Sequence, residues 1–76
     1  MNAMSQKRYE QLLNKIEKLR AETSKIGNQI DDYGVQFTLF RAADMLSDAK
    51  HNLISTQEAA ISRAEFDARQ LEKEAS

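Results

Sequence analysis

The chain contains no cysteine, no proline, no tryptophan and only two glycines. Without cysteine there is no disulfide and no thiolate metal site, and the redox compartment leaves no mark. The single histidine, His51, makes no zinc site unless several carboxylates gather around it. Without proline, no residue forbids a helix anywhere along the chain. Aromatic residues are 7% of the total, too few for a β-domain of this size. No apolar run approaches the roughly 18 residues that a membrane span requires. The opening "MNAMSQKRYEQ" lacks the apolar centre of a secretory signal, so the expected location is the cytoplasm, with no membrane association. Met1 and Met4 are both candidate starts.

Chemistry has little to build on. There is no Gly-rich phosphate loop and no H-E-x-x-H-like pair. Catalysis needs a base or nucleophile oriented by a third group inside a pocket, and a thin helical protein has little room for one. The expectation is therefore no enzyme, no cofactor, no bound metal and no small-molecule substrate. Asp48 precedes His51 by three residues, and Asp44/Asp48 and Asp31/Asp32 form carboxylate pairs; these read as solvated or capping residues.

What is abundant is helix-forming: Ala, Glu, Lys, Leu, Gln and Arg dominate. Seventy-six residues allow one domain. A chain this short needs a staple, and with disulfides and zinc set aside, association with another chain is the one that remains. Charge is asymmetric. Residues 1–30 carry six cations against three anions, while residues 31–76 carry five against nine. That division favours antiparallel pairing of the two halves, within one chain or between two.

In the first segment Tyr9, Leu12, Ile16, Leu19, Thr23, Ile26 and Ile30 are spaced alternately three and four apart, a coiled-coil pattern that Leu13 widens. The spacing predicts a helix over about 6–27, with Ser5 as N-cap. A different register takes over in the middle segment: Val35, Leu39, Ala42, Ala43, Leu46, Ala49 and Leu53. The change of phase falls on "IGNQIDDYG", where Gly27 and Asn28 suit a left-handed C-cap and Asp31 and Asp32 suit the start of the next helix. A turn is predicted within 27–35, then a helix over about 36–52. The stripe then moves by one residue to Ile54, Ile61, Ala64, Ala68, Leu71 and Ala75. At that point Ser55 and Glu58 fit a capping box, so residues 56–74 form a third helix or a continuation of the second.

Three features point outward. Lys7, Arg8, Lys15, Lys18 and Lys25 fall within an arc of about 100° on the first helix. Phe37 and Phe40 lie off the main stripe of the middle segment, as does Met45, and a helix apolar on two sides is buried on two sides. Phe66 lies far from the stripe of the last segment. A parallel pair of first helices would bring Lys15 against Arg20 of its partner, so antiparallel docking is preferred.

The sequence thus predicts an all-α protein: an antiparallel helical hairpin or short three-helix bundle with coiled-coil-like packing, self-associated. Its expected role is a protein–protein interaction module that binds, masks or bridges a partner, as adaptors, chaperones and inhibitors do. The expected partners are itself as a homodimer or higher oligomer, another protein, or both, through Phe37, Phe40, Met45, Phe66 and the five basic residues. The alternative is a nucleic-acid-binding protein that uses the basic face of the first helix.

Overall fold

A computed structural model describes residues 3–75. Met1, and the side chain of Ala75 at the end of the expected last stripe, lie outside the described residues. The described chain forms two α-helices, α1 (Gln6–Gln29) and α2 (Tyr33–Ala75). Phe40 packs at Gly27, Lys50 pairs with Glu17 and Gln57 bonds Met4, so the helices run antiparallel. The result is a ribbon of 67 × 20 × 11 Å, one helix thick. Its radius of gyration is 18.6 Å, against about 11 Å for a compact domain of this length.

α1 starts where Ser5 Oγ accepts the Arg8 backbone N–H at 3.3 Å. Met4 and Tyr9, both half-buried, hold the two positions of a hydrophobic staple around that cap. The helix ends at Ile30, which is extended at φ −105°, ψ 131°. No described residue has a positive φ, glycines included. The left-handed cap expected at Gly27 or Asn28 is therefore not used. The Gln36 side-chain amide instead donates to the Ile30 carbonyl, satisfying one of the acceptors that a helix end leaves open. Ile30, Asp31 and Asp32 make the connection. Asp32 caps α2, its Oδ1 accepting the Val35 N–H at 2.9 Å.

The two glycines serve different ends. A Cβ on Gly27 would lie 2.8 Å from Cε1 of the Phe40 ring, so Gly27 is small to admit that ring. A Cβ on Gly34 would meet only Asp32 Oδ1, at 3.4 Å. Gly34→Ala should accordingly stabilise the chain by about 0.4–1 kcal/mol, by restricting the unfolded state. Gly27→Ala should lack this gain, because about 1–3 kcal/mol of overpacking opposes it. In a Phe40→Ala background Gly27→Ala should become stabilising. Urea unfolding of the four proteins in that cycle checks both signs.

Of the two arrangements expected for residues 56–74, a third helix or a continuation of the second, the structure shows the continuation. α2 runs unbroken through Ser55 and Glu58, so their capping-box spacing caps nothing and a three-helix bundle is not formed. The one-residue slip at Ile54 is a rotation of the apolar stripe along a continuing helix. The seam also differs from the expected stripes. In α1 it follows Tyr9, Leu13, Ile16, Arg20, Thr23 and Gly27, whereas Leu19 is 52% exposed and Ile26 is exposed as well. In α2 it follows Gln36, Leu39, Ala43, Leu46, Lys50, Leu53, Gln57 and Ala60, while Val35 and Ala49 face out. Both registers of α1 share Tyr9, Ile16 and Thr23. The choice between them is made by Gly27, which lets Phe40 in, and by Arg20, whose apolar stem can lie on the seam while its head pairs at the rim.

α2 is about 64 Å long and α1 about 36 Å. Along α2 burial ends at Ala60, and every residue from Ile61 to Glu74 is exposed. The last two heptads of α2 thus project beyond the hairpin as a bare helix.

Candidate functional site

Buried side chains are few. Ala43, 5% exposed, is the one buried apolar side chain among the described residues, and Gln57, 2% exposed, is the buried polar one. The Met4 N–H donates to Gln57 Oε1 at 2.9 Å, and Gln57 Nε2 donates to the Met4 carbonyl at 2.8 Å. Because Met4 offers one donor and one acceptor, this pairing also fixes which way the Gln57 amide points. Gln57 thus ties the start of α1 to α2 at the point where the overhang begins.

Near the middle of the seam Glu17 receives Arg20 and Lys50. Arg20 Nε lies 3.2 Å from each carboxylate oxygen, and Lys50 Nζ lies 3.3 Å from Oε2. The hydrogen bond from Arg20, and then that from Lys50, holds the Glu17 carboxyl down at about 2, against an ordinary 4.5. A depressed carboxyl pKa contributes stability that is fully present above the unfolded value and lost as pH falls from 4.5 towards 2. The urea midpoint should therefore fall across that window, and it should fall less in Glu17→Gln. Equal slopes for the two proteins would mean that the pair adds nothing, as is common for solvent-exposed ion pairs.

The outward-facing residues singled out from the sequence do not converge on one site. Lys7, Arg8, Lys15, Lys18 and Lys25 are all exposed on α1, and among the described residues none joins an ion pair. Phe37 is 55% exposed. Phe40, half-covered by Gly27, belongs partly to the hairpin itself. Met45 is exposed on another side of α2, and Phe66, 58% exposed, lies on the overhang about 39 Å beyond Phe40.

A larger feature comes from residues that the sequence pattern had assigned to the core. In an antiparallel pair, the rows flanking the seam meet side by side. On one side of this ribbon the flanking rows are Leu12, Leu19 and Ile26 from α1, and Val35, Ala42 and Ala49 from α2, each spaced by seven residues. Leu12 and Ala42 are half-buried and the other four are exposed. Together they form an apolar trough between the helices. Arg8, Lys15 and Glu22, seven residues apart, border it on α1, where an open hollow is lined by Lys15, Lys18, Leu19 and Glu22. Opposite, the flanking rows are mostly polar: Glu10, Glu17 and Ser24 beside Phe40, Ser47 and Ile54. Tyr33, also exposed, extends Phe37 and Phe40 into a short aromatic row at the hairpin tip. The trough was legible as a seven-residue repeat, but only once the seam had been placed one residue away.

No known protein family, curated protein or solved structure matches the chain. Among the described residues, no three His, Asp or Glu side chains gather as metal ligands would. No helix among them is long and apolar enough to cross a membrane.

Proposed function

We propose that the chain is a small helical protein–protein interaction module that binds, masks or bridges a partner through the helical faces that its hairpin leaves uncovered. The observation that carries this reading is the imbalance of burial. Among the described residues one apolar side chain is buried, while Leu19, Ile26, Tyr33, Phe37, Phe66 and Leu71, among others, are large, apolar and exposed. Scattered exposed apolar residues are ordinary on a protein surface. Here they fall into rows: a trough, an aromatic tip and an overhang stripe. Contiguous apolar patches rimmed by charge mark interaction surfaces.

The test is site-specific photo-crosslinking in the native host, with the probe at Leu19, Phe37, Phe66 or, as a polar-face control, His51. The reading expects discrete adducts from the apolar positions and none from the control. Uniformly absent adducts would contradict it.

A second reading rests on the five exposed basic residues of α1, which could track a phosphate backbone. It expects binding to random-sequence duplex DNA that weakens steeply with salt. Against it, Glu22 sits within the same stripe, and the chain as a whole carries a net charge of −1.

A further inference from the structure

The bare end of α2 and the apolar trough have matching properties. On the overhang, Ile61, Ala64, Ala68 and Leu71 form one stripe, spaced three, four and three apart. This stripe lies where α1 no longer reaches, and all four residues are exposed. Its flanks are acidic on both sides: Glu65 and Glu72 on one, Asp67 and Glu74 on the other. Arg63 and Arg69 lie towards the back of the helix, and Arg69 pairs with Glu65 along the helix at 4.0 Å. Two overhangs packed on each other would therefore set acid against acid in either orientation. The trough offers a complement on its α1 side, an apolar floor bordered by Arg8 and Lys15, with Glu22 next in the same row, while its α2 border, Thr38, Met45 and Asn52, is uncharged.

Within one chain the two cannot meet. The overhang projects beyond the N-terminal end of α1, on a helix that continues straight out of the hairpin. In a second copy they can. The overhang spans about 22 Å and the Leu12–Ile26 row about 21 Å. An antiparallel pair of chains places each overhang beside the other copy's hairpin, and one two-fold axis satisfies both contacts.

The surface area agrees. The chain exposes 6187 Å², where a compact monomer of 8.7 kDa would expose about 4,700 Å². The excess of roughly 1,500 Å² exceeds the ~800 Å² that each partner buries in an interface of standard size.

We infer that the trough is the docking site for the overhang of a second copy, giving a reciprocal antiparallel homodimer in which three helices pack side by side in each half. This rests on the interaction-module reading and names one partner within it. Small Ala42 and Ala49 on the floor, and Ala64 and Ala68 on the incoming stripe, let the backbones approach closely.

Charge reversal tests the pairing. The body variant is Arg8→Glu with Lys15→Glu, and the tail variant is Asp67→Lys with Glu72→Lys, which places one change on each flank of the stripe. All four positions are exposed, and circular dichroism checks that helicity is kept. Sedimentation equilibrium of the wild type should show a dimer that weakens with added salt. Each variant alone should self-associate at least about tenfold more weakly. An equimolar mixture should recover wild-type affinity, because in the mixed dimer both contacts are again matched.

A wild-type mass that stays at 8.7 kDa up to millimolar concentration overturns the inference. So does a mixture no tighter than its parents. Tighter self-association of the tail variant also overturns it, since that marks tail-to-tail pairing. If the wild type is monomeric while Leu19 still crosslinks to another protein, this inference fails and the interaction-module reading stands.

Discussion

Replacing Thr56 by proline should cost the folded chain about 3 kcal/mol or more. Thr56 lies in the interior of an unbroken α2. Proline there removes one backbone hydrogen bond, and its ring strikes the carbonyl four residues earlier. The damage falls beside Gln57, where the start of α1 is anchored. The substitution also separates the two ways of reading the sequence around it. Were Ser55 the N-cap of a separate helix, residue 56 would be its first helical position, the one interior place where proline is favoured, and the change would be close to neutral. Urea unfolding followed by circular dichroism distinguishes the outcomes.

Gln57→Leu should destabilise the hairpin by about 2 kcal/mol, although leucine is more apolar and of similar size. The reason is the loss of both hydrogen bonds to Met4, which leaves a backbone donor and acceptor without partners beside a leucine. The start of α1 has to stay docked with those groups unsatisfied, or peel away to reach water. Amide exchange should show the second route, with the first turns of α1 exchanging much faster and the region around Ala43 little changed. Unaltered exchange of the first turn would show that the Gln57 clamp contributes nothing to holding α1 in place.

The sequence conveyed the class of fold well, because helix propensity, absent proline and three-four spacing all pointed the same way. It placed the turn among residues 27–35 and named Ser5 as a cap. It was less informative about which of two neighbouring registers becomes the seam. Leu12, Leu19 and Ile26 are more apolar than Leu13, Arg20 and Gly27 taken together, yet the second set faces α2. A register is decided by how closely two backbones approach and by where long polar side chains place their heads, and a one-dimensional apolar pattern carries neither.

The Ser55–Glu58 pair left a third helix open beside the continuation for a related reason. A capping box is a local signal, and nothing local shows that Gln57, between its two members, is needed on the seam by Met4, a residue 53 positions away. The uncovered trough arises from the same misassignment, since residues read as core are the ones that face out.

α2 has a packed stretch and a bare one, and the uncovered faces of the hairpin depend on that division. Residue-resolved hydrogen exchange on the dilute, monomeric chain measures it. Amides over residues 39–57 should be the most protected, since local opening there requires separation from α1. Protection should fall sharply after Ala60 and stay low to the end of α2, then rise across that segment when the chain is concentrated or bound to its partner. Protection that is uniform along α2 in the dilute chain, with no step near residue 60, would contradict the division of α2 into packed and bare stretches.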